Sequence, residues 1–190
     1  MSNQIEYQVF SLPAAIMLQH QLPSEVVTTL NEYLDALRSN DKRESASDTL
    51  VGQIHNGEQL KMDFTDQSLQ PFVSIVESLS TAYLKHFVEL TKSPLQPKKI
   101  SMDKLWSVHS FEGDYNPIHD HLTASNMGLS FTTWTLVPEQ IHRPNEEAEQ
   151  RYDLYDSSGS IDGFINFTYG LNQIGDPERL RPSQSRYIKP

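Results

Sequence analysis

The chain contains no cysteine. Disulfides, iron–sulfur clusters and thiolate nucleophiles are therefore excluded, and any metal must be held by His, Asp, Glu or backbone oxygen. Basic residues are also few: 15 Lys and Arg stand against 25 Asp and Glu, for a formal net charge of -10. A chain of that sign repels phosphate backbones, so broad nucleic-acid binding is not expected, although a local basic pocket stays open. No stretch approaches the roughly 18 apolar residues of a membrane span. Residues 1–20 lack the basic start and long apolar run of a signal peptide. The expectation is a cytoplasmic protein that does not enter membranes.

What is present suits one domain, expected to span 1–190. There are 190 residues, 37% hydrophobic and 21% charged, with 8 Phe, 8 Tyr and 2 Trp, enough to bury a core. Ile5, Tyr7 and Val9 alternate with polar residues, as in a strand. "LPSEVVTTLNEYLDALRS" predicts a helix: Ser24 is a candidate N-cap, and apolar residues recur at 3.6-residue spacing from Val26 to Leu37. Asn56-Gly57 signals a hairpin or loop. A second helix is expected over about 68–91, with one apolar stripe from Leu69 to Leu90, ended by the prolines of "KSPLQPKK". The texture then changes to short strand-like segments between turns: "ISMDKLWSVHSF", "MGLSFTTWTLVP", "DGFINFTYG" and "SRYIKP". Helices followed by strands predict an α+β fold, with 1–98 as a strand and helical support and 99–190 as a jelly-roll or barrel portion.

His119 and His121 are separated by one residue. On an extended segment, residues i and i+2 point to the same face, so both imidazoles can reach one point while Asp120 faces away. Imidazole suits Fe, Zn, Cu and Ni. Asn116-Pro117 biases the chain towards extended structure just before the pair. The alternative is a polar turn whose histidines face solvent. The apolar run "GLSFTTWTLV" that follows argues for a site beside a buried sheet.

"GDYNPIHDH" followed by "GLSFTTWTLVPEQI" resembles a family of 2-oxoglutarate- and Fe(II)-dependent oxygenases, distantly prolyl-4-hydroxylase-like, of marine bacteria and their viruses. The resemblance covers about residues 105–190. It implies a double-stranded β-helix, jelly-roll or cupin-like, packed on the N-terminal helices. Fe(II) and 2-oxoglutarate are the implied cofactors, and the implied reaction is hydroxylation of a C–H bond coupled to decarboxylation of 2-oxoglutarate to succinate. His119 and His121 are the implied metal ligands; Asp120 remains an alternative to His121, because the common family motif is His-x-Asp. No further catalytic residue is implied. The same resemblance places Ser130, Thr132 and Trp134 near 2-oxoglutarate, where core packing is the other reading. His109 either binds co-substrate or is a buried, hydrogen-bonded histidine.

The family pattern also calls for a distal histidine and an arginine on later strands. His142 is the only later histidine, and its polar surroundings read as surface loop. The expectation is that the closing strands, with both residues, lie beyond Pro190. Asp114 and Tyr115 read as residues that shape the turn. An alternative function is a non-catalytic β-helix domain for binding or assembly. A cupin-like metal protein is a third, disfavoured because the nearest downstream glutamate is Glu139. The substrate, a small molecule or a peptide, and any homo-oligomer are not encoded in these motifs.

Overall fold

The structure is a computed structural model that describes residues 6–12, 15–94, 99–117, 119, 128–142, 163, 165–169 and 184–188. These residues form a mixed α/β structure of two long helices and small antiparallel sheets. Contacts divide the chain into two units: Met1–Val9 with Leu18–Thr132, and Phe10–Met17 with Thr133–Pro190.

Strands β1 (Gln8–Leu12) and β2 (Ala15–Gln19) form a two-stranded sheet, where alternation at Tyr7 and Val9 predicts extended chain. Helix α1 spans Ser24–Arg38. Pro23, not Ser24, occupies the N-cap position, and the Ser24 hydroxyl turns to Glu25 Oε2 at 3.4 Å. The Pro23 carbonyl instead accepts from both Val26 and Val27 N–H. A proline just before the helix does this without a side-chain cap because its carbonyl is already extended, with ψ 142°.

Helix α2 (Gln70–Thr91) starts from a single 3-10 turn at Gln67–Leu69. Asp66 caps that turn by accepting Ser68 N–H at 2.8 Å, and Pro71 sits where its missing N–H costs nothing. The helix ends at Lys92, whose φ of 51° turns the chain out. Pro94 follows, so continuation is blocked.

The core of the first unit lies between the helices. Val26, Leu30, Met62, Leu69, Phe72 and Val73 are buried together, each worth roughly 1.5–3 kcal/mol of transfer free energy. The apolar stripe of α2 is buried mainly in its first turns. Further along, Tyr83 and Phe87 stack on each other at 6.4 Å between centroids, and Leu90 is 56% exposed. Phe131 packs edge-to-face on Phe72 at 5.9 Å and so ties the chain near residue 131 to α2.

Strand β3 (Glu58–Lys61) pairs antiparallel with β4 (Trp106–His109), Glu58 opposite His109 and Leu60 opposite Ser107. The other edge of β3 is covered by residues 44–46: Ala46 N–H donates to Gln59 O and Lys61 N–H to Glu44 O. Covering both edges removes a free template for intermolecular pairing.

The second unit contains a short helical turn, α3 (Glu139–His142), and a hairpin of β5 (Ile165–Tyr169) and β6 (Gln184–Ile188), with Ile165 opposite Ile188. Both strands coincide with the β-branched and aromatic segments that predict them. The segment 128–138 differs from expectation: it is in neither helix nor strand. Its composition is strand-like, but a strand exists only with a ladder partner, and the described residues provide none. His142 lies on α3 and not in an irregular loop. Among the described residues, no helix is long and apolar enough to cross a membrane.

Candidate functional site

The turn "EGDYNP" is built around one carboxylate. Asp114 Oδ1 accepts the backbone N–H of His55 at 2.7 Å and of Asn56 at 2.9 Å, and Oδ2 accepts that of Phe111 at 2.9 Å. Hydrogen bonds from the Asn56, Phe111, His55 and Gly57 amides hold this carboxyl below its ordinary value, against a smaller opposing effect of desolvation. An ionised carboxylate surrounded by amide dipoles is the strong form of this bond. Asn56 Nδ2 adds a bond to Glu112 O at 2.9 Å.

Glycine makes the approach feasible. A Cβ on Gly57 would overlap the His109 carbonyl oxygen and come within 2.8 Å of Asp114 Oδ2. The "HNG" loop and the "GDY" turn, read separately from sequence, are therefore two halves of one structure. Gln53 and Tyr115 continue it by exchanging backbone hydrogen bonds of 2.7 and 3.1 Å. Beyond them, Gly52 leaves room for Asn116 Oδ1 and for Gln59 Nε2.

His119 follows directly. Its Nδ1 lies 2.7 Å from the Pro117 carbonyl oxygen. A carbonyl only accepts, so Nδ1 carries the proton and Nε2 carries the lone pair of the neutral ring. The side chain is exposed. His121 and Asp120 lie outside the described residues.

The His109 side chain belongs to a polar cluster on β4. It is half-buried, with Nε2 3.0 Å from the Ser107 hydroxyl. Burial pushes its imidazole below the ordinary value, and the Arg38 charge adds to this; Glu58 and Asp35 act in the opposite sense. Opposite it, Glu58 is clamped by Arg38 Nε at 3.1 Å and Arg43 Nε at 2.9 Å. Desolvation raises the Glu58 carboxyl, but Arg43 and Arg38 together outweigh it and the net shift is downward. An open cleft of about 470 Å³ adjoins this ion pair, lined by Asp41, Arg43, Ser45, Ser47 and residues 57–60. Its cation, Arg43, is already committed to Glu58.

Ser130 and Thr132 are exposed. Thr132 closes the first unit, and Trp134 belongs to the second. The Trp134 indole N–H donates to Gly163 O at 3.2 Å. Among the described residues, no group of three or more His, Asp or Glu could hold a metal ion. His119 fits a metal ligand by tautomer; a complete three-ligand set is not formed by the described residues. In sequence Asp114 reads as a local turn residue, and the Asn-Gly dipeptide is the local signal for the 55–57 loop that it binds.

Comparison with protein-family models, with curated proteins and with solved structures gives no match for the chain.

Proposed function

We propose that this chain is a non-haem Fe(II)- and 2-oxoglutarate-dependent oxygenase, or the N-terminal portion of one, acting on a small molecule or peptide in the cytoplasm. His119 and His121 are its near metal ligands, and its finer fold is a double-stranded β-helix. The observation that carries the reading is the His119 Nδ1–H···O=C bond to Pro117. Metal-ligating histidines characteristically donate their other ring N–H to a carbonyl or carboxylate, which fixes the tautomer and aims the lone pair. Iron and 2-oxoglutarate, when bound, would supply oxidative decarboxylation coupled to C–H hydroxylation. The chain's own part is to hold His119 in its metal-binding tautomer. His109, kept neutral by burial, offers the co-substrate hydrogen bonds without a competing positive charge. Thr132 would contribute a hydroxyl.

A second reading, a non-catalytic binding or assembly domain, is favoured by Phe111 and Tyr115. They flank Asp114 and are 55% and 58% exposed, and exposed aromatics of this kind recur at protein interfaces. One experiment addresses both readings. The chain and its His119→Ala and His121→Ala variants are loaded anaerobically with Fe(II), and iron is measured by elemental analysis. Succinate release from 2-oxoglutarate is assayed in parallel. The expected result is iron bound by the parent chain and most of it lost in each variant, with succinate release only from a chain that also carries the distal histidine and the arginine. Unchanged iron in both variants overturns the ligand assignment. An iron-free parent chain without succinate release favours the binding domain.

A further inference from the structure

We propose that Asp114 is a positioning residue for His119: its carboxylate fastens the 55–57 loop to the 111–115 turn, and this sets the carbonyl that orients the imidazole. The metal role of His119 rests on the function proposed above; the positioning itself does not.

The link from Asp114 to the histidine is short, and each step in it is constrained. Asp114 collects N–H groups from residues 58 and 59 positions away and from Phe111. Tyr115 is then held in both directions by Gln53. Asn116 is seated where Gly52 has no side chain. Pro117 has its φ fixed by its ring. One of the two dihedrals that orient its carbonyl is thereby fixed, and His119 Nδ1 donates to that carbonyl at 2.7 Å.

Loss of the Asp114 charge breaks this chain at its first step. Both carboxylate oxygens face N–H donors, so an asparagine in either orientation turns its NH₂ towards another donor. At least one of these bonds must then open, and the remaining ones lose their charge assistance. The turn can still fold, but it no longer dictates where the Pro117 carbonyl points.

The test is carried out on the full chain, uniformly labelled with ¹⁵N, and on Asp114→Asn. Long-range ¹H–¹⁵N spectra at pH 8 report the tautomer of each histidine, with His119 assigned by its loss in His119→Ala. Thermal unfolding verifies that each protein is folded, and Co(II) titration followed by its d–d bands measures metal affinity. The parent chain is expected to hold His119 with the proton on Nδ1. In Asp114→Asn the ring should revert towards the Nε2–H form that free imidazole prefers, and Co(II) affinity should fall ~10–100-fold, the usual effect of losing an outer-shell contact. A folded Asp114→Asn with the parent tautomer overturns the proposal, as does a parent chain whose His119 is not protonated on Nδ1. If Asp114→Asn does not fold, Asp114→Ser keeps one oxygen that can accept and removes the charge and the second oxygen; a tautomer shift there supports the proposal and an unchanged tautomer overturns it. A tautomer that responds in a parent chain that binds no Co(II) upholds the positioning and removes the metal reading.

Discussion

His109 links burial to protonation. It is half-buried, bonded to Ser107, and held neutral chiefly by burial and then by the Arg38 charge. The consequence for stability has a definite sign. The unfolded chain takes up a proton near the ordinary value of 6.5, whereas the folded chain resists it. Folding is unaffected above that pH and loses stability as pH falls below it. Glu58 acts in another window: its carboxyl is lowered from 4.5, so its contribution is present above 4.5 and lost below. Urea unfolding between pH 7 and 5 should therefore show a fall in stability that His109→Gln largely removes. An equal fall in the variant would assign the effect to another group.

At the scale of elements, the two long helices could be read from the sequence because their causes are local. The 3.6-residue spacing of Val26, Leu30, Phe72 and Val73, and Pro94 after the second helix, each act within a few residues. Burial along α2 depends on what lies opposite, and this the stripe does not specify. Phe72 is 4% exposed and meets Phe131, while Leu90 on the same stripe is 56% exposed. Phe72→Ala should cost about 3–5 kcal/mol by cavity formation, whereas Leu90→Ser should stay within about 0.5 kcal/mol. Chemical denaturation of both variants measures the contrast, and equal losses would contradict this placement of the core. The pairing of β3 with β4 was not legible, because register is selected by partners some 50 residues apart. Gly57 is the local trace of that pairing: a Cβ there collides with the His109 carbonyl oxygen. Gly57→Ala should cost about 1–3 kcal/mol by overpacking.

For the whole molecule, charge is the property that composition decides. With 25 acidic against 15 basic residues, and with Arg38 and Arg43 sharing Glu58, those two cations are already neutralised in part. Duplex DNA should show no binding in fluorescence anisotropy at 50 mM salt up to about 10 µM protein, a range in which non-specific DNA binders do associate. Salt-sensitive binding below that concentration would reveal a basic surface formed by folding.

By itself the sequence determined the helices, the proline stop after the second, the turn dipeptides, the charge, and the pair of imidazoles placed one residue apart. These follow from steric and periodic rules that operate over a few residues. Only the tertiary structure decided that Asp114 reaches back to His55 and Asn56, that Gly57 makes room for it, and that the "TTWTLV" run carries no strand despite its composition. Each of those outcomes depends on a partner far away in the chain. An isolated carboxylate in a turn and a β-branched run look the same in sequence whether or not that partner arrives.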